Sequence, residues 1–127
     1  MIVTYSDINA NEHVFSKEDT LFQPTVVINK CPSKYYTLLM IDPDSTSLDF
    51  VNWMIINISI TKSTFQEILP YYPPTPTINE HRYFFYLLEQ EEVITVPRPN
   101  KRTWFSLEKF IYTYGLRAVE DVTMRVV

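Results

Sequence analysis

Two short constellations in this 127-residue chain carry side chains able to do chemistry, Asp42-Pro43-Asp44 and His81-Arg82-Tyr83. The first follows the apolar run Thr37-Leu38-Leu39-Met40-Ile41 directly, so its carboxylates stand where a buried strand reaches the rim of the core and side chains can converge on a cleft. Taken by itself the same tripeptide is a turn signal, and both readings stand. His81 is either a hydrogen-bonded structural residue or an imidazole facing a ligand. Ser45, His81 and Asp42 supply the residue types of a nucleophilic triad, but Ser45 has no nucleophile elbow and no glycine-supported oxyanion loop, so hydrolase chemistry is the remote alternative. His13 is the only other histidine and Cys31 the only cysteine, which predicts neither a metal site nor an intrachain disulfide. Cys31 reads as a small half-buried apolar residue, and no cofactor is implied.

The elements that must position these residues are mostly β. Strand candidates are residues 25–28, 35–41, 53–61, 82–89, 93–96 and 119–127, separated by Pro, Asn, Asp and Ser clusters at spacings that suit an antiparallel β-sandwich better than alternating βα units. The runs 37–41 and 54–60 are nearly continuous in apolar residues, which predicts strands covered on both faces. After Ser106, the residues Leu107, Phe110, Ile111 and Tyr114 recur at helical period, and Gly115, the only glycine, follows as a C-terminal cap. A shorter helix is expected at 64–69, where Thr64 and Glu67 have capping-box spacing and Pro70 stops propagation. Residues 70–79 hold four prolines and are expected to run as a stiff, extended polyproline-like loop, a pocket wall or a docking ledge.

The length allows one domain, 1–127. A hydrophobic fraction of 46% and an aromatic fraction of 15% describe a packed globule, not a disordered chain. The formal net charge of −4 and scattered cations leave no basic stripe for a run of phosphates, so nucleic acid is not the expected partner. The first residues lack the pattern of a signal peptide and no window is apolar enough to span a membrane, which predicts a cytoplasmic protein without integral membrane contact. The scarcity of Ala and Gly beside abundant Ile, Asn, Tyr and Phe points to an AT-rich coding genome, such as that of a large DNA virus or a parasite. A viral source would place the protein in host cytoplasm or in the virion.

Together, Thr37–Asp44, Trp53 opening an apolar strand, Pro73-Pro74 in a rigid loop and His81-Arg-Tyr-Phe-Phe-Tyr-Leu-Leu-Glu-Gln90 resemble the two signature blocks of the phosphatidylethanolamine-binding protein family. Pro24-Thr25, Arg102-Thr-Trp-Phe-Ser-Leu-Glu-Lys-Phe110 and Tyr114-Gly-Leu116 extend the resemblance over residues 24–116. The resemblance implies a mainly β sandwich with one or two short peripheral helices and a small pocket for phosphate-like or phospholipid-headgroup anions. It assigns to that pocket Asp42 and Asp44, Trp53 as an aromatic wall, Pro74, His81 and Tyr83. A neutral imidazole N–H and a phenol O–H would be the donors, with carboxylates orienting the ring. The family's extent also implies that this chain is a nearly minimal version of the fold.

The same resemblance marks departures. The family's Trp is followed by two histidines, the second lining the pocket, where this chain has Met54-Ile55; a lost donor to a charged ligand costs about 1.5–3 kcal/mol. Phe50 stands in place of a tyrosine and Tyr72 in place of a glycine, filling space, while Asn79 replaces a glycine as the residue best able to accept positive φ. Glu80 adds a carboxylate beside His81. The pocket therefore gains negative charge and loses donors, and headgroup binding is expected to be weak or absent. Three functions follow in order: a non-enzymatic interaction or regulatory module that engages a protein partner through exposed aromatics at Tyr71, Tyr72 and Trp104; a receptor for a phosphate-containing or phospholipid headgroup; and, remotely, a hydrolase.

Overall fold

The computed structural model describes all of residues 1–127, and the two apolar runs become its longest strands. In chain order the strands are β1 (Ile2–Tyr5), β2 (Ile8–Asn9), β3 (Val14–Phe15), β4 (Thr25–Val27), β5 (Tyr35–Ser45), β6 (Leu48–Ser59), β7 (Thr64–Leu69), β8 (His81–Gln90) and β9 (Arg117–Val126), with the helix α1 (Leu107–Tyr114) before the last. They form a six-stranded sheet ordered β3-β9-β8-β5-β6-β7 and a three-stranded sheet ordered β2-β1-β4. All pairings are antiparallel except β3 with β9. The sandwich is open, since neither sheet closes on itself.

Period-two alternation divides the large sheet between two cores. Tyr36, Leu38 and Met40 of β5, with Tyr83, Phe85 and Leu87 of β8, face the small sheet and meet Val3, Tyr5 and Phe15. Leu39 and Ile41, with Leu88, Met54 and Ile56, face the opposite way and are covered by Phe110, Leu116 and Val96. Both faces of the apolar runs are thus buried, as their unbroken apolarity implied. The helix ends as its sequence dictates: Ser106 Oγ accepts from the Lys109 N–H at 3.2 Å, and Gly115 takes the left-handed conformation at φ 63°.

Three sequence expectations fail here. Residues 64–69 form β7, not a helix, because a turn through Ser63 at φ 54° lays them beside β6, whose ladder outweighs the marginal stability of a six-residue helix. Glu67, read as a capping-box acceptor, instead accepts from the Trp53 indole N–H at 2.9 Å. Residues 93–96 form no strand. Their backbone bonds go to a side chain: the Ile94 N–H donates to Asn57 Oδ1 at 2.9 Å, and Asn57 Nδ2 donates to the Ile94 carbonyl at 2.9 Å. Three short strands before residue 16 and the extension of β5 through Ser45 lie beyond the expected elements. Cys31 is exposed, not half-buried, with Sγ 3.1 Å from Ser33 Oγ; that contact draws the thiol below its usual range.

The Asn57 link rests on a β-bulge. Leu38 opposes Ile55 and Tyr36 opposes Ile58, so β6 carries one more residue than β5 over this stretch, and Asn57 adopts φ 56°. Its amide is bound to Gln90, which is fully buried: Gln90 Nε2 donates to Asn57 Oδ1 at 2.8 Å, while Gln90 Oε1 accepts from Thr37 Oγ1 at 2.6 Å and from the Asn57 N–H at 3.1 Å. This polar knot fastens the segment after β8 to the sheet. Asn57→Ala strands donors of Gln90 and Ile94, and we expect a loss of about 2–4 kcal/mol, read as a lower urea midpoint at unchanged m-value.

Candidate functional site

The cleft at the rim of the large sheet exists because two strands depart from regular pairing there. Asp42 opposes Phe50 and Ser45 opposes Leu48, so β5 carries an extra residue through Pro43-Asp44. The tripeptide is therefore a bulge within a strand and not the turn; the chain reverses later, between Ser45 and Leu48. Bulges tolerate proline and re-aim neighbouring side chains. Across the ladder, Met40 opposes Trp53 while Ile41 opposes Val51, which leaves Asn52 as the extra residue of β6.

Asp42 is 5% exposed, and both of its oxygens are engaged. Oδ1 accepts from the Asp44 N–H at 2.8 Å and Oδ2 lies 2.8 Å from His81 Nδ1. The carboxylate fixes the tautomer: with Nδ1–H donating to Asp42, the neutral ring offers at Nε2 an acceptor, and only the doubly protonated ring donates from both nitrogens. The Tyr83 ring stacks near His81, centroids 6.4 Å apart, and burial followed by the nearby Asp42 charge pushes its phenol far above the usual range, holding it as a neutral O–H. Asp44 is bound to Arg82 through Nε at 3.0 Å, Nη2 at 2.8 Å and the backbone N–H at 2.8 Å. Arg82 is thereby turned to the Asp44 carboxylate.

Asp42, Asp44, His81 and Tyr83 line a cleft of about 400 Å³ together with residues 45–47, Phe50, Asn52, Tyr72, Thr75, Thr77 and Ile78. Phe50 and Tyr72 meet edge to face at 5.3 Å, and the Arg102 guanidinium sits over the Tyr72 ring at 5.4 Å. Tyr72 thus narrows one side while remaining 45% exposed. Asn79 takes φ 59°, as its residue type allows.

Several residues assigned to the pocket lie elsewhere. Trp53 and Ile55 line a separate cleft between the two sheets. Pro74 is buried beside the cleft without lining it. Glu80 pairs with Arg125 at 2.9 Å and lines no part of it. Tyr71 turns inward: its O–H donates to the Thr20 carbonyl at 2.7 Å and accepts from the Tyr5 O–H at 2.8 Å, and burial pushes it up to about 12. Ser45 Oγ is 2.9 Å from Ser47 Oγ and accepts from the Ser47 N–H, with no hydrogen bond to His81.

Asn52 is the residue that sequence reasoning missed. It is 2% exposed; Nδ2 donates to the Tyr72 carbonyl at 2.8 Å, which fixes the amide's orientation and leaves Oδ1 without a partner. Period-two counting assigns a face to every residue of a strand and has no place for the extra residue of a bulge.

The profile described as phosphatidylethanolamine-binding protein matches residues 6–122. The protein FLOWERING LOCUS T of Arabidopsis thaliana is 34% identical over 65% of this chain and 51% of its own length. CEN-like protein 4 of Nicotiana tabacum is 31% identical over 87% of this chain and 70% of its own length. Among solved structures, the phosphatidylethanolamine-binding protein from Plasmodium vivax superposes at a TM-score of 0.79 with 21% identity, over 98% of this chain and 83% of that one. Carboxypeptidase Y inhibitor, solved in complex with its cognate proteinase, superposes at 0.82 with 14% identity, over 98% and 81%. The chain spans about half the length of FLOWERING LOCUS T. These likenesses agree with the expected sandwich.

The Arg82 hydrogen bonds hold the Asp44 carboxyl below its usual range. A lowered folded-state value means stability that is present above the unfolded pKa of about 4 and lost as pH falls through the folded value. Acid titration of the wild type should show this loss below about pH 4. Asp44→Asn should be less stable near neutrality and lose stability less steeply on acidification, measured by urea midpoints across that range.

Proposed function

Because the chain belongs to the phosphatidylethanolamine-binding protein family, we propose that it acts as a non-enzymatic interaction or regulatory module whose rim cleft is a weakened anion site and whose main ligand is a protein. One observation carries this reading: the groups that would hold an anion are spent inside the chain. His81 Nδ1 faces Asp42, the Arg82 fork closes on Asp44, and Asn52 directs its N–H to Tyr72. What remains at the cleft is His81 Nε2, the phenols of Tyr72 and Tyr83, Ser and Thr hydroxyls and two carboxylates. At 4–6 Å a carboxylate opposes a bound phosphate by about 3–4 kcal/mol at an effective dielectric near 20.

Exposed aromatics at the same rim favour a protein partner. Trp104 is 62% exposed at φ 60°, its N–H 3.4 Å from the carbonyl of Ser47, a cleft residue. Tyr72, 45% exposed, lies on the cleft itself, whereas Tyr71 is a packing residue. Trp and Tyr supply interface area at low entropy cost, so Tyr72 and Trp104 are the anchors of this reading. The unactivated Ser45 supports a non-enzymatic role. No helix is long and apolar enough to cross a membrane.

A headgroup receptor is the second reading, favoured by the persistence of the Asp42–His81 pair on an open cleft. Amide NMR titration with inorganic phosphate and phosphoethanolamine separates the two. We expect shifts around His81 only at about millimolar ligand or above. Asn52→His, which puts a donor where an unpaired acceptor stands, should tighten phosphate binding about tenfold. A wild-type Kd in the low micromolar range would establish the receptor. For the protein partner, affinity capture from native lysate should recover a species that Tyr72→Ala and Trp104→Ala both lose, and capture insensitive to both changes would refute the anchors.

A further inference from the structure

Trp53 and Ile55, absent from the rim, open a different site. The three-stranded sheet is narrower than its partner and leaves the β6–β7 end of the large sheet partly uncovered. The resulting cleft is about 550 Å³, within the range of small-molecule pockets, and shares no lining residue with the His81 cleft. Its floor is apolar, built from Leu38, Ile55 and Ile58, and Gln23, Pro24, Thr25, Val26 and Ile28 form one wall. The other wall is β7, where Phe65 and Glu67 stand two residues apart on one face; Phe65 is 66% exposed.

Glu67 is the only charged residue around this cleft, and no Lys, Arg or His lines it. Its carboxylate is oriented from below: the Trp53 indole N–H, itself in the buried floor, donates to Oε2 at 2.9 Å. Oε1 has no hydrogen-bond partner and Glu67 forms no ion pair. An apolar trough with one half-satisfied, pre-oriented carboxylate at its edge is complementary to an apolar body ending in a cationic donor.

We propose that the cleft between β4 and the β6–β7 end of the sheet is a second binding site, and that its occupant is a hydrophobic amine: an alkyl or aryl group seated on Leu38, Ile55, Ile58 and Phe65, with its ammonium donating to Glu67 Oε1. The indole bond to Oε2 makes Trp53 both the support of the carboxylate and a built-in reporter of occupancy. The ammonium replaces part of its water shell by one charge-assisted hydrogen bond at a partly exposed rim, a modest electrostatic gain; the apolar floor supplies the rest.

Trp104→Phe leaves Trp53 as the only tryptophan, since the chain has two. In that background Trp53 emission is followed during titration with n-hexylamine, n-hexanol and hexanoate, three probes with matched chains. The expected order is amine tightest, alcohol about fivefold weaker and carboxylate weakest. Glu67→Gln keeps an oxygen for the indole N–H and removes the charge, so it should bring hexylamine to the level of hexanol while hexanol binding persists. Phe65→Ala, at an exposed position, should weaken amine and alcohol alike. Equal affinity for amine and carboxylate, an amine preference that survives Glu67→Gln, or no response of Trp53 to any of the three would each overturn the site.

Discussion

Arg102 is the residue on which the rim of this fold depends, and it has no carboxylate partner. Its guanidinium donates from Nη1 to the carbonyls of Val51 and Asn52, at 3.1 and 3.0 Å, and from Nη2 to that of Pro70, at 2.9 Å, while its plane covers the Tyr72 ring. Its own carbonyl accepts from the Val51 N–H at 2.8 Å. Three chain segments far apart in sequence, the loop before the helix, the bulge of β6 and the start of the proline loop, are thus fastened by one side chain. Partial burial lowers its pKa, and a guanidinium stays charged throughout the physiological range. Five donors in a rigid plane suit this task; a lysine's three donors radiate from a single atom, and it has no planar face to stack.

The arrangement explains how a carboxylate-lined cleft persists at a sheet rim. Carbonyls that a regular strand would direct into its ladder are freed by the bulge at Asn52, and Arg102 and the Tyr72 N–H take them up. Asp42 similarly absorbs the Asp44 N–H that its own bulge exposes. The polar groups of the site are therefore also the structural repair of the irregularities that create it. Binding and folding draw on the same donors, which is why few are left for an anion.

The parts legible in the sequence were those governed by periodicity and capping. Unbroken apolar runs identified the central strands, helical spacing with Ser106 and Gly115 bounded α1, and the Asp42, His81 and Tyr83 blocks did converge. What failed was set by long-range pairing. The 64–69 segment has a plausible helix start, yet lies in a ladder with β6; the 93–96 segment is rich in β-branched residues, yet its Ile94 backbone is claimed by an asparagine 37 positions away. The resemblance put Trp53 and Ile55 at the rim pocket; in the structure they line the cleft between the sheets, and the β6 side chain nearest them that lines the rim cleft is the bulge residue Asn52, for which alternation has no letter.

That origin has an implication for how the strand is written. Val51, Met54 and Ile56 face the helix side of the sheet, while Trp53 and Ile55 face the other sheet. With Asn52 set aside, the five remaining residues alternate without a fault. Asn52 is interpolated between them and belongs to neither apolar cluster. One inserted residue thus leaves the strand's inside-outside pattern intact while supplying the carbonyl that Arg102 and the Tyr72 N–H take up.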